Sequence, residues 1–218
     1  MNTSPSKKTG LDAMLTPGNC ALMLIDHQPF QINTTASIDP GVMINNVIGL
    51  AKTCKNYGVP TLLTTVVKDR GGMLLKGVQD IFPDQVPIDR TYINAWEDSR
   101  IRDWVKNTGR KKLVLAALWT EVCLSFPAIH ALGEGYEVYV ITDASGGVSP
   151  DAHNQGIRRM VQAGATPVTW IAFLAELQRD WARTATIPGA TEILMQHGGS
   201  IGSALAWEYQ LLGEGAGV

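Results

Sequence analysis

Three residues of this chain could do hydrolytic chemistry if the fold brings them together: the carboxylate of Asp26, the guanidinium of Arg90 and the thiol of Cys123. Asp26 ends a short apolar run, Arg90 lies in a brief segment after a long irregular stretch, and Cys123 comes five residues after the run ending at Leu118. A thiol at a helix N-terminus faces the positive end of the helix dipole and free backbone N–H groups, which favour the nucleophilic thiolate. A nearby carboxylate takes the thiol proton and later delivers it to a leaving group. Plainer readings stand beside this one. Asp after a strand serves turns and caps, Cys is among the most buried residue types, and Arg near a carboxylate is commonly structural. Spacing alone leaves both open. Cys20 opens an apolar run and Cys54 sits on an apolar helical stripe, so both are assigned to the core.

The elements that must position these residues follow from the hydrophobic pattern. Cys20–Ile25 reads as a strand buried on both faces. Met43, Val47, Leu50, Cys54 and Tyr57 repeat at spacings of three and four, the buried stripe of a helix that Gly58 and Pro60 bring to an end. Thr61–Val67 is a second strand, completing a βαβ unit. Lys68–Pro87 reads as a long loop with one helical turn, and Ile88–Thr91 as a short strand. Ala95–Asn107 predicts a helix, and three further strand–helix pairs follow: Leu113–Leu118 with Val122–Leu132, Glu137–Ile141 with Pro150–Ala163, and Pro167–Trp170 with a helix holding Phe173, Leu174 and Leu177. Ser149 suits the N-cap of the Pro150 helix, and Gly164 its exit. About five strands alternating with helices predict a three-layer α/β/α sandwich with a mainly parallel sheet, Rossmann-like in outline. Ligands bind such sheets beyond the carboxyl ends of the strands, where Asp26 stands.

The chain has 218 residues, 45% apolar and 17% charged, enough to build one core and too apolar for a disordered segment. Residues 1–17 read as an N-terminal extension and 18–182 as the domain. Residues 183–218 form a tail whose cluster of Ala204, Leu205, Trp207, Tyr209 and Leu211 packs on its own body or on a neighbouring subunit, its Gly-rich last residues fraying. A net charge of −2 and dispersed basic residues argue against a nucleic-acid partner. The longest apolar run, Leu113–Trp119, falls short of the roughly 18 residues of a membrane span. Three cysteines cannot all pair and form no metal-ligand spacing, which suits a reducing, cytoplasmic setting. No Gly-x-Gly-x-x-Gly follows the first strand, so a dinucleotide cofactor is not expected.

These residues stand in recognisable company. Leu24-Ile-Asp26-His-Gln28, Ile93-Asn-Ala-Trp96, Trp119-Thr-Glu-Val-Cys123 with Phe126-Pro-Ala128, and Thr142-Asp-Ala144 with Met160 and Ala163-Gly-Ala165 resemble the isochorismatase-like cysteine hydrolases, and within them the YcaC-like hydrolases in particular. The resemblance covers roughly residues 18–182. It implies a triad of Asp26 as general base and acid, Arg90 and the nucleophile Cys123, with no cofactor. Most of the superfamily carries Lys where this chain has Arg90. Arginine keeps its proton and offers a wider, planar fork, which excludes any step needing a neutral amine. Lys68 is the less favoured substitute.

The resemblance also implies a cis peptide at Leu118-Trp119, an oxyanion hole from the backbone N–H groups of Trp119 and Cys123, and a homo-oligomer, octamers included. Pro127 cannot donate to the carbonyl of Cys123, which leaves the helix start open or bent. Gln28, Phe30, Asn94, Trp96, Trp119 and Phe126 are the expected lining of a small, partly apolar substrate pocket; the plain alternative is that the aromatic ones pack the core. The metal-bearing nicotinamidases place histidines after the second strand, but Lys68–Met73 holds none, so no metal is expected. The reading is a cysteine-dependent hydrolase of a small carboxamide or related C–N bond. A non-catalytic binder or structural oligomer, with Arg90 gripping an anionic ligand, is the alternative.

Overall fold

Strand β1, Cys20–Ile25, has all six side chains fully buried, as an apolar run covered on both faces requires. In the computed structural model, which describes residues 9–213, it lies at the heart of a six-stranded sheet. The elements run β1, α1 (Pro29–Asn33), α2 (Pro40–Asn56), β2 (Thr61–Val66), α3 (Lys68–Gly71), α4 (Lys76–Gln79), β3 (Ile88–Arg90), α5 (Ser99–Thr108), β4 (Lys112–Ala117), α6 (Ser125–Gly133), β5 (Glu137–Ile141), α7 (Pro150–Ala163), β6 (Thr166–Val168), α8 (Trp170–Gln178), α9 (Ile187–His197) and α10 (Ser200–Leu212). The strand order is β3-β2-β1-β4-β5-β6, with every neighbouring pair parallel.

Alternation along β1 divides the interior into two layers. Leu22 and Leu24 meet α2, α8 and α9 through Met43, Leu50, Trp170, Phe173 and Ile193. Met23 and Ile25 meet α5, α6 and α7 through Ile101, Val105, Ala128 and Met160. Ser149 accepts a bond from the Ala152 N–H at 3.1 Å, and Gly164 closes α7 in the left-handed conformation, φ 112°.

The three-layer expectation is met, and the structure corrects several boundaries. The sheet has six strands against a count of about five, and the expected short strand at Ile88 is present as Ile88–Arg90, paired with β2. The Lys68–Pro87 stretch holds two single-turn helices rather than one. The helix expected over Ala95–Asn107 breaks at Asp98, whose extended backbone and carboxylate cap α5 by accepting the Arg100 N–H at 3.0 Å. The helix expected from Val122 opens instead as a π-helical turn, Thr120–Leu124, before α6.

The N-terminal segment is tied to the foot of the sheet. The buried Lys112 ammonium donates to the carbonyls of Asp12 and Met14, and the Tyr139 hydroxyl donates to that of Ala13 at 2.6 Å. The expected tail consists of α9, which packs against α2, and α10, which packs against α9. The fraying expected of the last residues and the first half of the N-terminal extension lie outside the described residues.

Candidate active site

Strand order reverses direction between β1 and β4, so their carboxyl ends diverge and leave a crevice, the usual ligand position in an open parallel sheet. Asp26 follows β1 and Cys123 follows β4, one on each lip. Arg90 ends β3 two strands away and reaches across β2.

Asp26 adopts φ 61°, a left-handed conformation uncommon for a non-glycine residue and most accessible to Asp and Asn. This turns the chain out of β1 while the Asp26 N–H still bonds to the Thr64 carbonyl at 3.1 Å. Its carboxylate is fully buried. Oδ2 accepts from Arg90 Nη2 at 2.6 Å, Oδ1 accepts from the Thr64 hydroxyl at 3.3 Å, and the Cys123 thiol donates a further hydrogen bond. Burial pushes the Asp26 pKa above the usual carboxylate value, against the opposing pull of Arg90 and of the hydrogen bonds from Cys123, Arg90 and Thr64.

Arg90 is closed off. Its side chain is 0% exposed, Nη1 donates to the Tyr92 carbonyl at 2.5 Å and Nη2 is held by Asp26. Its planar fork therefore braces the Asp26 carboxylate against the backbone. Lys68 is exposed, and its backbone N–H donates to Asp89 Oδ1 at 3.1 Å.

Cys123 lies in the π turn with 6% exposure. The Leu118-Trp119 peptide is cis, as the resemblance implied. The wide turn has a covalent reason: Pro127 has no N–H for the Cys123 carbonyl, and the ladder shifts so that Leu124 N–H reaches Trp119 O at 3.2 Å. The structure overturns the expectation that a helix end depresses the thiol pKa. Burial, then the neighbouring negative Asp26, push Cys123 up to about 12, outweighing the Arg90 charge and a backbone hydrogen bond from Trp119. Cys123 and Asp26 thus interact directly, Asp26 raising the pKa of the thiol and the thiol lowering that of Asp26.

The aromatic and amide residues expected around a pocket divide. Phe30 and Trp119 come together with ring centroids 6.1 Å apart, and Trp119 Nε1 donates to the Thr34 hydroxyl at 3.1 Å. Gln28 is fully buried and spends its amide on backbone: Oε1 accepts from Val66 N–H at 2.8 Å, and Nε2 donates to the carbonyls of Gly72 at 2.6 Å and Val66 at 3.3 Å. Asn94 caps the short helical turn Ala95–Glu97 through the Trp96 N–H and contacts Glu97 and His130. Trp96 is buried edge-on against Tyr136, and Phe126 lies beneath the Arg159 guanidinium on α7. Phe30 and Trp119 are brought beside the nucleophile turn, while Gln28 and Asn94 bond to the backbone and Trp96 packs in the core.

Other supports escaped the sequence reading. Thr120 Oγ1 bonds to His153 Nδ1 at 2.8 Å, Glu121 Oε1 accepts from Val148 N–H at 3.1 Å, and Ser145 Oγ accepts from Ala117 N–H at 3.1 Å while donating to Ile141 O at 2.7 Å. The available signal was polar residues inside apolar segments, Thr64 in β2 above all. Asp143, from the Thr142-Asp-Ala144 motif, accepts from the Trp170 N–H at 2.9 Å and so starts α8. His27 is buried, with Nε2 on the Ala144 carbonyl, and burial lowers its pKa to about 4, keeping it neutral. Among the described residues, no three His, Cys, Asp or Glu side chains are grouped to hold a metal ion. A cleft of about 540 Å³ bounded by α2, α8 and α9 is lined by Asp39, Asn45, Asp143, Trp170 and His197, none of them beside Cys123.

A doubly wound, all-parallel six-stranded sheet with an ion-paired carboxylate and a thiol facing each other at its switch point defines the class of fold, a three-layer α/β/α sandwich. The isochorismatase domain model matches residues 20–172, and the chain belongs to that family of hydrolases. It is 37% identical over 185 residues to the probable hydrolase YcaC of Escherichia coli, covering 84% of this chain and 88% of the relative. The E. coli YcaC crystal structure, described as an octameric hydrolase of unknown specificity, superposes with a TM-score of 0.87 at 35% identity, covering 91% of this chain and 97% of that one. YcaC from Pseudomonas aeruginosa, with hexane-2,5-diol and covalent acrylamide, matches with a TM-score of 0.85 at 34% identity over 89% of this chain and 96% of that one.

Proposed function

We propose that this hydrolase acts on a small carboxamide or related C–N bond through a thioester on Cys123. The observation that carries the reading is the hydrogen bond from the Cys123 thiol to a buried Asp26 carboxylate that Arg90 holds at 2.6 Å. Cys123 passes its proton to Asp26 as Sγ attacks the carbonyl carbon, and the C=O electron pair moves onto oxygen. Backbone N–H groups of Trp119 and Cys123 receive that oxyanion; one such donor is worth about 3 kcal/mol in other acyl-transfer sites. The tetrahedral intermediate collapses, the C–N bond breaks, and Asp26 returns the proton to the departing nitrogen. A water molecule, deprotonated by Asp26, then adds to the thioester; Cys123 leaves as thiolate and recovers the proton, releasing the carboxylic acid.

Burial raises both groups above their usual values, so the pair is suited to sharing one proton, and transfer from Cys123 to Asp26 needs no charge to enter from solvent. Arg90 stays charged throughout and keeps Asp26 aimed. Its closed side chain argues against the alternative role of gripping an anionic ligand. Phe30 and Trp119 supply an apolar rim. Acrylamide is a conjugate-addition electrophile, so its covalent attachment in the Pseudomonas aeruginosa relative supports a reactive nucleophile in that protein and leaves the substrate class to the test below. The same proposal includes a homo-oligomer, as in the octameric E. coli relative, and a cytoplasmic setting, in keeping with three free, buried cysteines.

The test is ammonia or amine release across a panel of small amides by the wild type and Cys123→Ala. Loss of turnover with an unchanged circular-dichroism spectrum is expected; hydrolysis at the wild-type rate by the variant would overturn the assignment.

A further inference from the structure

The chain on either side of Trp119 is fastened to its surroundings, and Trp119 itself is turned toward the thiol. The Ala117 N–H donates to Ser145 Oγ at 3.1 Å, the Leu118 N–H to the Ile25 carbonyl at 3.2 Å and the Thr120 N–H to the Gly146 carbonyl at 2.9 Å. The Trp119 N–H between them donates instead to the Cys123 sulfur. Thr120 stands in the chain between the two N–H groups, those of Trp119 and Cys123, proposed to receive an oxyanion. Whatever fixes Thr120 therefore fixes the turn that carries both donors.

Thr120 is fully buried, and its hydroxyl makes one hydrogen bond among the described residues, to Nδ1 of His153 on α7 at 2.8 Å. Burial lowers the His153 pKa against the opposing charge of Glu121, so the imidazole is neutral at pH 7 and Nδ1 is free to accept. The Thr120 hydroxyl then donates, and its proton has the acceptor that a buried hydroxyl requires. His153 is itself held. Its N–H donates to the Ser149 carbonyl at 3.0 Å, and a Cβ on Gly147 would lie 2.9 Å from its nitrogen, so loop and helix start pack without slack. One stretch of chain, residues 145–153, thus bonds Ala117, Thr120 and, through the Val148 N–H, Glu121.

We infer that His153 is a positioning residue for acyl transfer: through the Thr120 hydroxyl it holds the turn whose Trp119 and Cys123 N–H groups meet the oxyanion. It acts through Thr120 and takes no part in the proton transfer between Cys123 and Asp26. The inference rests on the reading of Cys123 as an acyl-transfer nucleophile.

The experiment compares two reactions of one thiol. In acetylation by p-nitrophenyl acetate, Sγ attacks the ester carbonyl, the thiol proton passes to Asp26, the C–O bond breaks and p-nitrophenolate leaves, so an oxyanion must be received on the way. Iodoacetamide alkylates the same sulfur by displacement of iodide and forms no oxyanion. Both rates are read at Cys123, by p-nitrophenolate absorbance and by peptide mass, in the wild type, His153→Ala, Thr120→Val, the double variant and His153→Asn. In His153→Ala, acetylation is expected to fall about ten- to a hundredfold, the effect of moving a reacting group by about 1 Å, while alkylation stays within about threefold of the wild type. Thr120→Val should do the same, and the double variant should be no slower than either, because the two side chains act as one unit. Asn offers an amide oxygen near the place of Nδ1 and is expected to restore acetylation to within about threefold. Undiminished acetylation in His153→Ala, an equal loss of both reactions, additive losses in the double variant or no rescue by Asn would overturn the positioning role and leave Cys123 as the nucleophile. A wild-type Cys123 that p-nitrophenyl acetate does not acetylate would overturn the acyl-transfer reading and this inference with it.

Discussion

Replacing Arg90 with Met removes the cation from a fully closed ion pair and keeps a similar apolar stem. Asp26 is left buried with only the Thr64 and Cys123 hydrogen bonds. Breaking such a pair from one side costs about 3–5 kcal/mol, because the remaining charge has no compensation. In a domain of this size about 2–4 °C of Tm goes with each kcal/mol, so a fall of roughly 6–20 °C is expected. The cost depends on pH, and its sign follows from Asp26. Burial already raises that carboxyl above its ordinary value, and loss of Arg90 removes the main force opposing the rise. A carboxyl raised in the folded state binds a proton that the unfolded chain, with a pKa near 3.9, has released. The stability of the variant is therefore retained near pH 4, falls as pH rises through the folded-state value of Asp26, and then levels. Urea unfolding at fixed protein concentration from pH 4 to 8, with the double variant Asp26→Leu/Arg90→Met alongside, measures this. The double variant should recover most of the loss, since both charges are gone. A single variant within about 1 kcal/mol of wild type at pH 8, or a penalty that shrinks with rising pH, would refute the claim that Arg90 compensates a buried carboxylate.

Alkylation by iodoacetamide, followed by mass spectrometry, should label Cys123 at a rate that rises as Asp26 loses its proton and stays level until the thiol itself titrates near 12. In Asp26→Asn the level portion should vanish and the rate at pH 7 fall roughly a hundredfold; Cys20 and Cys54, buried and shifted upward, should remain unlabelled in both. Gly147→Ala would place a Cβ 2.5 Å from Glu121 Oε2 and 2.9 Å from His153 N, so it should cost about 1–3 kcal/mol in urea unfolding and slow Cys123 alkylation. Gln28→Leu strands the Val66 N–H and the Gly72 carbonyl and should destabilise by about 2–3 kcal/mol in the same assay.

Local signals carried much of the fold. The Glu137–Ile141 strand and the Pro150–Ala163 helix are read to the residue, because a compact apolar run and a Ser-Pro start with a Gly exit depend only on neighbouring residues. Asp26 was legible for the same reason, standing where an apolar run stops, and Cys123 from its place at the helix start five residues after Leu118. What stayed hidden depends on distant contacts. Gln28 and Asn94 look like pocket amides in one dimension, yet they meet backbone groups left open by Val66, Gly72 and Trp96, and those openings exist only in the folded chain. The Cys123 thiol was expected low from its place at a helix start, whereas its surroundings place it high; desolvation is set by segments that converge from both halves of the chain. Asp98 shows the limit even for local patterns: the apolar spacing of Trp96, Ile101 and Val105 suits one helix, and a single carboxylate cap divides it.

The central placement of β1 also bears on how the chain is made. Its neighbours are β2, which follows closely, and β4, whose register places Ala117 opposite Ile25. Those two residues are separated by roughly 90 positions, which at ~5–20 residues per second is roughly 5–20 s of synthesis. Throughout that interval the emerging first half holds a strand with six apolar side chains and one bare hydrogen-bonding edge, the arrangement most open to pairing with another nascent chain. The crevice that receives Asp26 and Cys123 forms only when β4 takes that edge, so the step that protects the newborn chain from aggregation is also the one that assembles its chemistry.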